Sequence, residues 1–195
     1  LKSGETLVKG DSVIAMCLKA DSLDSFGSET SDDIATISTE IDFIKVENTW
    51  DLFHYNDRAI RDDFALLTKG RKSQKLSTTN RVISPENIFI EEGAVVEFAI
   101  INASTGPVYI GKNAEIMEGS KVRGPFALCD HAVLKMDAKI YGATTIGPYS
   151  KVGGEVNNSV ILGFSNKAHD GFLGHSVLGE WCNLGADTNT SNLKN

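Results

Sequence analysis

Eight aliphatic side chains stand six residues apart, from Ile110 through Ile116, Val122, Leu128, Leu134, Ile140 and Ile146 to Val152. Four residues after most of them comes a small side chain: Ala114, Ser120, Ala132, Ala138, Thr144 and Ser150, with Phe126 the exception. A helix repeats every 3.6 residues and a half-buried strand every two, so neither accounts for this register. A six-residue repeat builds a parallel β-helix, in which each hexapeptide forms one short flat side of a prism. The aliphatic residue points into the prism and the small one fits where the chain turns the corner. A single coil buries too little apolar surface to stand alone, so coils must stack on a shared core. The fold class that follows is mainly β, a parallel β-helix of hexapeptide repeats.

Ile90 and Val96 extend the period upstream, so the β-helix is placed over residues 84–195. Asn102–Pro107 breaks the register by two residues before Ile110, which predicts a small loop or bulge. After Val152 the period is interrupted at Gly153-Gly154 and is expected to resume at Phe172, Leu178 and Leu184, with Cys182 and Thr188 in the small position. Between them, Glu155–Gly171 replaces the plain repeat with Asn, Ser, Lys and His. An irregular segment inside a regular solenoid is where a site is expected, because insertions map to a binding face. Gly142, Gly147, Gly153 and Gly154 are read as tight corners that require positive φ.

Residues 1–67 do not share the period. Gly4–Met16 suggests short strands around the turn Lys9-Gly10-Asp11. Asp21–Glu40 is polar and acidic and reads as a surface segment with room for a short helix, and Ile41–Val46 as a strand. Trp50–Asn56 opens a helical stretch to about Leu67, with Ile60, Phe64 and Leu67 at helical spacing. Trp50 and Phe53 are read as anchoring this helix on the preceding domain. Residues 68–83 form a linker, and the cations Lys69, Arg71, Lys72 and Lys75 in it suit either a solvated connector or a phosphate.

Composition excludes several functions. A net charge of -7 argues against a protein that holds nucleic acid by counterion release. No apolar run approaches the roughly 20 residues of a membrane span, and no basic and apolar leader is visible. Cys17, Cys129 and Cys182 are odd in number and widely spaced. They suit reduced core thiols in a cytoplasmic protein better than a disulfide frame or a zinc site. The chain begins at Leu1 without a methionine and stops at Asn195, and reads as a segment of a longer protein.

The residues of the irregular segment and beyond it carry a resemblance: Gly153-Gly154-Glu155-Val156-Asn157-Asn158-Ser159, then Ser165-Asn166-Lys167-Ala168-His169, Phe172-Leu173-Gly174-His175-Ser176, Asn183-Leu184-Gly185-Ala186-Asp187-Thr188 and Ser191-Asn192-Leu193. This resembles the acetyltransferase domain of the bifunctional N-acetylglucosamine-1-phosphate uridylyltransferase/glucosamine-1-phosphate acetyltransferase family. It is also similar to sugar-phosphate nucleotidyltransferase-like proteins with the His-Asp-Gly-Phe-Leu-Gly variant. The likeness is good over about residues 80–195 and looser over the first 70. It implies a left-handed β-helix, against the general preference for right-handed crossovers, preceded by a small α/β part of a nucleotidyltransferase-like domain at residues 1–67. It also implies a homotrimer with sites between neighbouring prisms, acetyl-CoA as co-substrate and a sugar phosphate as acceptor. Mg²⁺ is implied only for the nucleotidyltransferase part, whose glycine-rich loop lies near the N-terminus in that family. Neither nucleic acid nor membrane is expected as a partner.

Position by position, the resemblance puts His169 at the catalytic base, Asn183 and Asn192 at asparagines that contact the sugar and acetyl group, and Ala186 at a backbone contact to the thioester. Three residues depart from the pattern. Asn157 or Asn158 stands where the family has a lysine for the sugar phosphate, Phe172 replaces a sugar-binding tyrosine, and Asp187 replaces a glycine. Lys139 aligns near an arginine that holds phosphate. Chemically, acyl transfer to an amine needs a base near neutrality, which a histidine supplies. The oxyanion needs N–H donors, which Asn183, Asn192 or the Gly185-Ala186 turn can supply. A sugar phosphate needs cations, and Lys167 and Lys194 are near in sequence. A lone histidine also has a structural reading. His175, six residues on, is expected to share a face with His169, while His131 and His54 are read as surface or packing residues. Asp170 adjoins His169 but points to the opposite face of an extended strand.

Overall fold

A computed structural model of the chain describes residues 1–18 and 35–190. It divides into two compact units, Leu1–Lys45 and Val46–Asn195. In the first, β1 (Glu5–Lys9) and β2 (Ser12–Cys17) form an antiparallel hairpin, and β3 (Ala35–Ser38) runs parallel to β1. The turn falls at Gly10, whose φ of 56° suits glycine. The acidic segment expected as surface lies mostly outside the described residues, and its described end forms β3. Ile41–Val46 joins no sheet, contrary to expectation. Side chains meet its backbone instead: Lys9 Nζ donates to the Ile41 carbonyl at 3.2 Å and Ile41 N–H donates to Thr39 Oγ1 at 3.2 Å.

The second unit is a left-handed parallel β-helix with three flat faces. The first face stacks Arg81–Ile83, Ile100–Asn102, Lys121–Arg123, Lys139–Tyr141, Glu155–Asn157 and Phe172–Gly174. The second stacks Ile88–Ile90, Val108–Ile110, Phe126–Leu128, Thr144–Ile146, Val160–Ile161 and Val177–Leu178. The third stacks Val95–Val96, Glu115–Ile116, Val133–Leu134, Lys151–Val152 and Asn166–Lys167, with Asn183 bridged to Asn166. All these pairings are parallel and in register.

The hexad aliphatics fill the prism. Ile110, Leu128, Leu134, Ile146 and Val152 are fully buried, and each contributes about 1.5–3 kcal/mol by leaving water. Phe126 is also fully buried, so the one large side chain in a small position still points inward. The expected loop falls at 103–107.

After Val152 the coils shorten. The next inward residues on the first and second faces are Val156 and Ile161, four and five residues on instead of six. The shortening shifts the register beyond it. Leu173, pairing with Val156, is the buried residue of the next coil, and Phe172 faces outward opposite Glu155. The expected resumption at Phe172 is therefore one residue early. Glycines build the shortened corners in two ways. Gly142 and Gly154 take positive φ as expected, at 65° and 70°. Gly147 and Gly153 do not, and are small because backbone of the next coil passes against them.

Other corners are turned by non-glycine residues with φ near 57°, at a cost in strain that local packing offsets. Along the edge between the second and third faces these are Asn113, His131, Tyr149, Phe164 and Trp181. The four rings form a stacked column with centroids 4.6, 5.3 and 4.6 Å apart. His131 is thus a packing residue.

Two helices, α1 (Asp51–His54) and α2 (Asn56–Thr68), cover the second face. Asn56, Ile60 and Phe64 form the stripe turned inward, four residues apart. Asn56 Nδ2 donates to the Ala143 carbonyl at 2.8 Å, and Thr145 Oγ1 donates to Asn56 Oδ1 at 2.9 Å. Arg61 donates to the Thr105 carbonyl at 2.7 Å. Phe53 meets the His175 ring edge-on, and Arg71 lies over the Phe89 ring. Those contacts join the sixth coil to the first. Eighteen residues at about 1.5 Å span roughly 27 Å, close to five strand spacings of about 4.8 Å. The helical segment is thus long enough to run the height of the prism. Trp50, expected as an anchor, is exposed.

Residues 71–80, expected as a solvated connector, lie across the first coil. Gln74 N–H donates to the Ile90 carbonyl at 2.8 Å and Asn80 Nδ2 to the Val96 carbonyl at 2.8 Å, while Leu76 packs on the core. They satisfy sheet edges that the first coil would otherwise leave open. Backbone groups and amide side chains do this work, which explains why the segment shows no apolar period.

Candidate functional site

The corner between the third and first faces, after the fifth coil, carries the turn Ala168–Gly171, and His169 is exposed on it. The turn rests directly on Gly153-Gly154 of the coil below. A Cβ on Gly153 would run into the Ala168 carbonyl, and one on Gly154 would stand 3.0 Å from the His169 oxygen and 2.9 Å from the Asp170 Cα. Above, Asp187 N–H donates to the Asp170 carbonyl at 3.0 Å. Asp187 itself turns a corner at φ 58°, a conformation glycine would take freely and aspartate tolerates better than most residues.

The other candidates flank this corner on two sides. On the first face, Lys139, Asn157 and Phe172 all project outward. Lys139 stands opposite Glu155, and Asn157 opposite Tyr141, so Lys139 and Asn157 are diagonal neighbours on one surface. Phe172 follows opposite Glu155, its N–H held by Asn189 Oδ1 at 2.8 Å. On the third face, Asn183 is exposed, and its Oδ1 accepts from Asn166 Nδ2 at 2.9 Å, which orients its amide. Ala186 is exposed on the turn that follows, where Thr188 Oγ1 donates to the Gly185 carbonyl at 2.9 Å. Asn192 and Lys194 lie outside the described residues.

Two expectations change. Lys167 does not reach the surface. It fills the inward slot of the third face, 2% exposed, and its Nζ donates to the carbonyls of Gly153 at 3.0 Å and His169 at 2.9 Å. His175 turns the corner between the first and second faces, against Phe53, and not the His169 corner. One prism side is about six residues long, so residues six apart occupy successive corners.

The first face also carries groups not singled out in the sequence. A groove of about 730 Å³ runs along it, lined by Ile83, Ile100, Lys121, Arg123, Lys139, Tyr141 and Glu155. Tyr141 Oη donates to Glu155 Oε1 at 2.6 Å, and the accepting carboxylate holds the phenol above its ordinary pKa. The signal was available, since these residues flank the inward aliphatics Val122, Ile140 and Val156.

The three cysteines are free and partly buried, and burial with Asp130 nearby pushes the Cys129 thiol up to about 11, which disarms it as a nucleophile. Among the described residues no group of three His, Cys, Asp or Glu side chains could hold a metal ion, and no helix is long and apolar enough to cross a membrane. Those residues therefore offer no ligand set for the Mg²⁺ that the resemblance implies for a nucleotidyltransferase part.

Comparison with known proteins bears on this arrangement. Residues 1–72 match the sugar nucleotidyl transferase family model. A bifunctional GlmU protein of Synechococcus elongatus is 25% identical over 173 residues, which is 76% of this chain and 38% of that one. Over most of its length the chain is similar to bifunctional GlmU proteins. The corresponding proteins of Rippkaea orientalis and a Nostoc species are 26% and 25% identical over 182 and 186 residues, each covering 82% of this chain and 40% of its relative. The chain thus spans about two-fifths of the length of the curated relatives it matches. The family match runs past the boundary between the two compact units and takes in α1 and α2, the helices that lie on the β-helix.

Proposed function

We propose that the protein carrying this chain is a sugar-phosphate nucleotidyltransferase and acetyltransferase, and that its β-helix moves an acetyl group from acetyl-CoA to an amino-sugar 1-phosphate. The observation that carries this reading is the placement of His169 on an exposed turn between the outward row Lys139, Asn157 and Phe172 and the outward Asn183. His169 takes the proton as the amine nitrogen attacks the thioester carbonyl. Asn183, Asn192 and the Gly185-Ala186 turn offer donors to the oxyanion, and Lys139 meets the phosphate. Asn157 and Phe172 shape the sugar pocket with one cation and one hydroxyl fewer than the family pattern, so the acceptor differs from glucosamine 1-phosphate. Lys167 is not among the ligands.

A homotrimer suits this geometry, because the candidates lie on both flanks of one prism edge and a groove between neighbouring prisms would bring both kinds of flank to one ligand. In the same reading residues 1–67 end a nucleotidyltransferase-like domain, residues 84–195 form the acetyltransferase-like one, and the protein works in the cytoplasm on nucleotide-sugar synthesis. The alternative, nucleotidyl transfer alone with the β-helix as a trimerisation or regulatory module, draws support from the family match at residues 1–72 and from the changes at Asn157 and Phe172.

The test is thiol release from acetyl-CoA with a panel of hexosamine 1-phosphates, using the full-length protein and its His169→Ala variant. Release that needs an amino sugar and falls by about 10²-fold or more in the variant supports acetyl transfer. No release, with nucleotidyl transfer intact, favours the module.

A further inference from the structure

The inward column of the third face reads Val96, Ile116, Leu134, Val152, Lys167, and then Leu184 packed on the core. A lysine in that column is out of character, since an aliphatic residue fills the same slot in every neighbouring coil. Burying an ammonium is costly unless hydrogen bonds compensate it. Here they come from two carbonyls at consecutive corners, those of Gly153 and His169. Burial pulls Lys167 below the ordinary lysine pKa, and the Asp170 carboxylate works against that shift.

We propose that Lys167 is a positioning residue for His169: from inside the prism, its ammonium holds the turn that presents the imidazole. The inference rests on the reading of His169 as the base. The turn is fixed from two directions. From below it is seated on Gly153-Gly154, where any side chain would displace the Ala168–Asp170 backbone. From inside, Lys167 ties the His169 carbonyl to that of Gly153, joining the turn to the corner it rests on. The imidazole outside is left exposed to substrate while its own backbone is held. An aliphatic residue would serve the core equally well, so the gain from a lysine lies at the turn.

The test uses Lys167→Met and Lys167→Leu in the full-length protein, beside wild type and His169→Ala. Both apolar variants match the column and should fold with a melting temperature near that of wild type, because relief of the buried ammonium offsets the bonds lost at the two carbonyls. Acetyl transfer should lose about 10²-fold in kcat, the scale expected for about 1 Å of misplacement, with KM for both substrates unchanged. Amide hydrogen exchange gives a readout independent of activity. The Glu155 and Asp187 amides donate to the Gly171 and Asp170 carbonyls of the turn. They should exchange faster in both variants, while the Glu115 and Val133 amides of the second and third coils, bonded to Ala132 and Ser150, keep their rates. Unchanged kcat with unchanged exchange at Glu155 and Asp187 overturns the proposal. So does a lower melting temperature with protection lost throughout, or failure of both variants to fold, since the lysine would then serve the core. If His169→Ala keeps the wild-type rate, the base assignment falls by itself, and exchange at Glu155 and Asp187 still decides whether Lys167 holds the turn.

Discussion

Removing the Asn56 side chain should release α2 from the β-helix without unfolding the coils. Asn56 is 6% exposed and makes both of its side-chain bonds to the fourth coil, donating to the Ala143 carbonyl and accepting from Thr145. Asn56→Ala leaves the Ala143 carbonyl, on a buried residue, without that partner, at about 1–3 kcal/mol. Loss of the Thr145 bond adds about 0.5–1.5 kcal/mol. A total of about 1.5–4.5 kcal/mol corresponds to roughly 10- to 1,600-fold in the docking equilibrium at 1.4 kcal/mol per decade. The coils have their own parallel ladders, so the change should stay local. Residue-resolved hydrogen exchange checks it: amides in the middle of α2, such as Phe64 and Ala65, should exchange faster by about that factor, and Val133 and Lys151 should not. Thr145→Val, which loses only the second bond, should show a smaller effect, and a double-mutant cycle would give the coupling. The reasoning is refuted if α2 exchange changes by less than about twofold, or if helix and coils shift together.

Two further changes probe the first coil and the seat of the His169 turn. Glu91 accepts from Arg71 at 2.6 Å and Tyr109 at 2.7 Å, and the Arg71 bond holds its pKa below the ordinary carboxylate value. A depressed carboxylate contributes stability that is present above its unfolded pKa of about 4.3 and lost as pH falls through its folded value. The melting temperature of wild type should therefore exceed that of Glu91→Gln near neutrality and approach it on acidification below about pH 4; parallel curves would sink the idea. Gly153→Ala should lift the His169 turn, because the new Cβ would meet the Ala168 carbonyl and stand 3.0 Å from its carbon. Stability should fall by about 1–3 kcal/mol, with faster exchange at Glu155 and Asp187, and an unaltered melting temperature would mean the turn is not seated there.

Much of the fold was legible because a three-sided prism imposes its own arithmetic. One inward side chain per side, six residues per side, gives the register that Ile110–Val152 display, and each is buried as that register requires. The loop near residue 105 and the hairpin at Gly10 followed from a register break and a turn residue. Legibility failed where coils changed length. Val156 comes four residues after Val152 rather than six, and from there a register carried forward by counting slips. Neighbouring residues on a strand face opposite ways, so a slip of one exchanges inside for outside. Counting by six therefore puts Phe172 inward, whereas Leu173 is the buried residue. Lys167, expected to serve a sugar phosphate, lies inside because two backbone carbonyls pair with its ammonium, and a sequence does not show such partners.

The candidate site divides in the same way. The family resemblance and the irregular segment singled out His169, and the chemistry of acyl transfer, which calls for a base that titrates near neutrality, agrees with that choice. Tertiary structure decided which groups share its surroundings. Coil length sets Lys139 opposite Glu155 and Asn157 opposite Tyr141, and sends His175 to a different corner where it meets Phe53. Local sequence determined the repeating unit, since the hydrophobic demand of each prism side is met within six residues. The pairing of coils, the docking of α2 and the burial of Lys167 depend on contacts between residues 14 to 89 positions apart, from Lys167 to Gly153 at one extreme and Asn56 to Thr145 at the other. Such contacts exist only once the chain has wound and the number of residues at every corner has been settled.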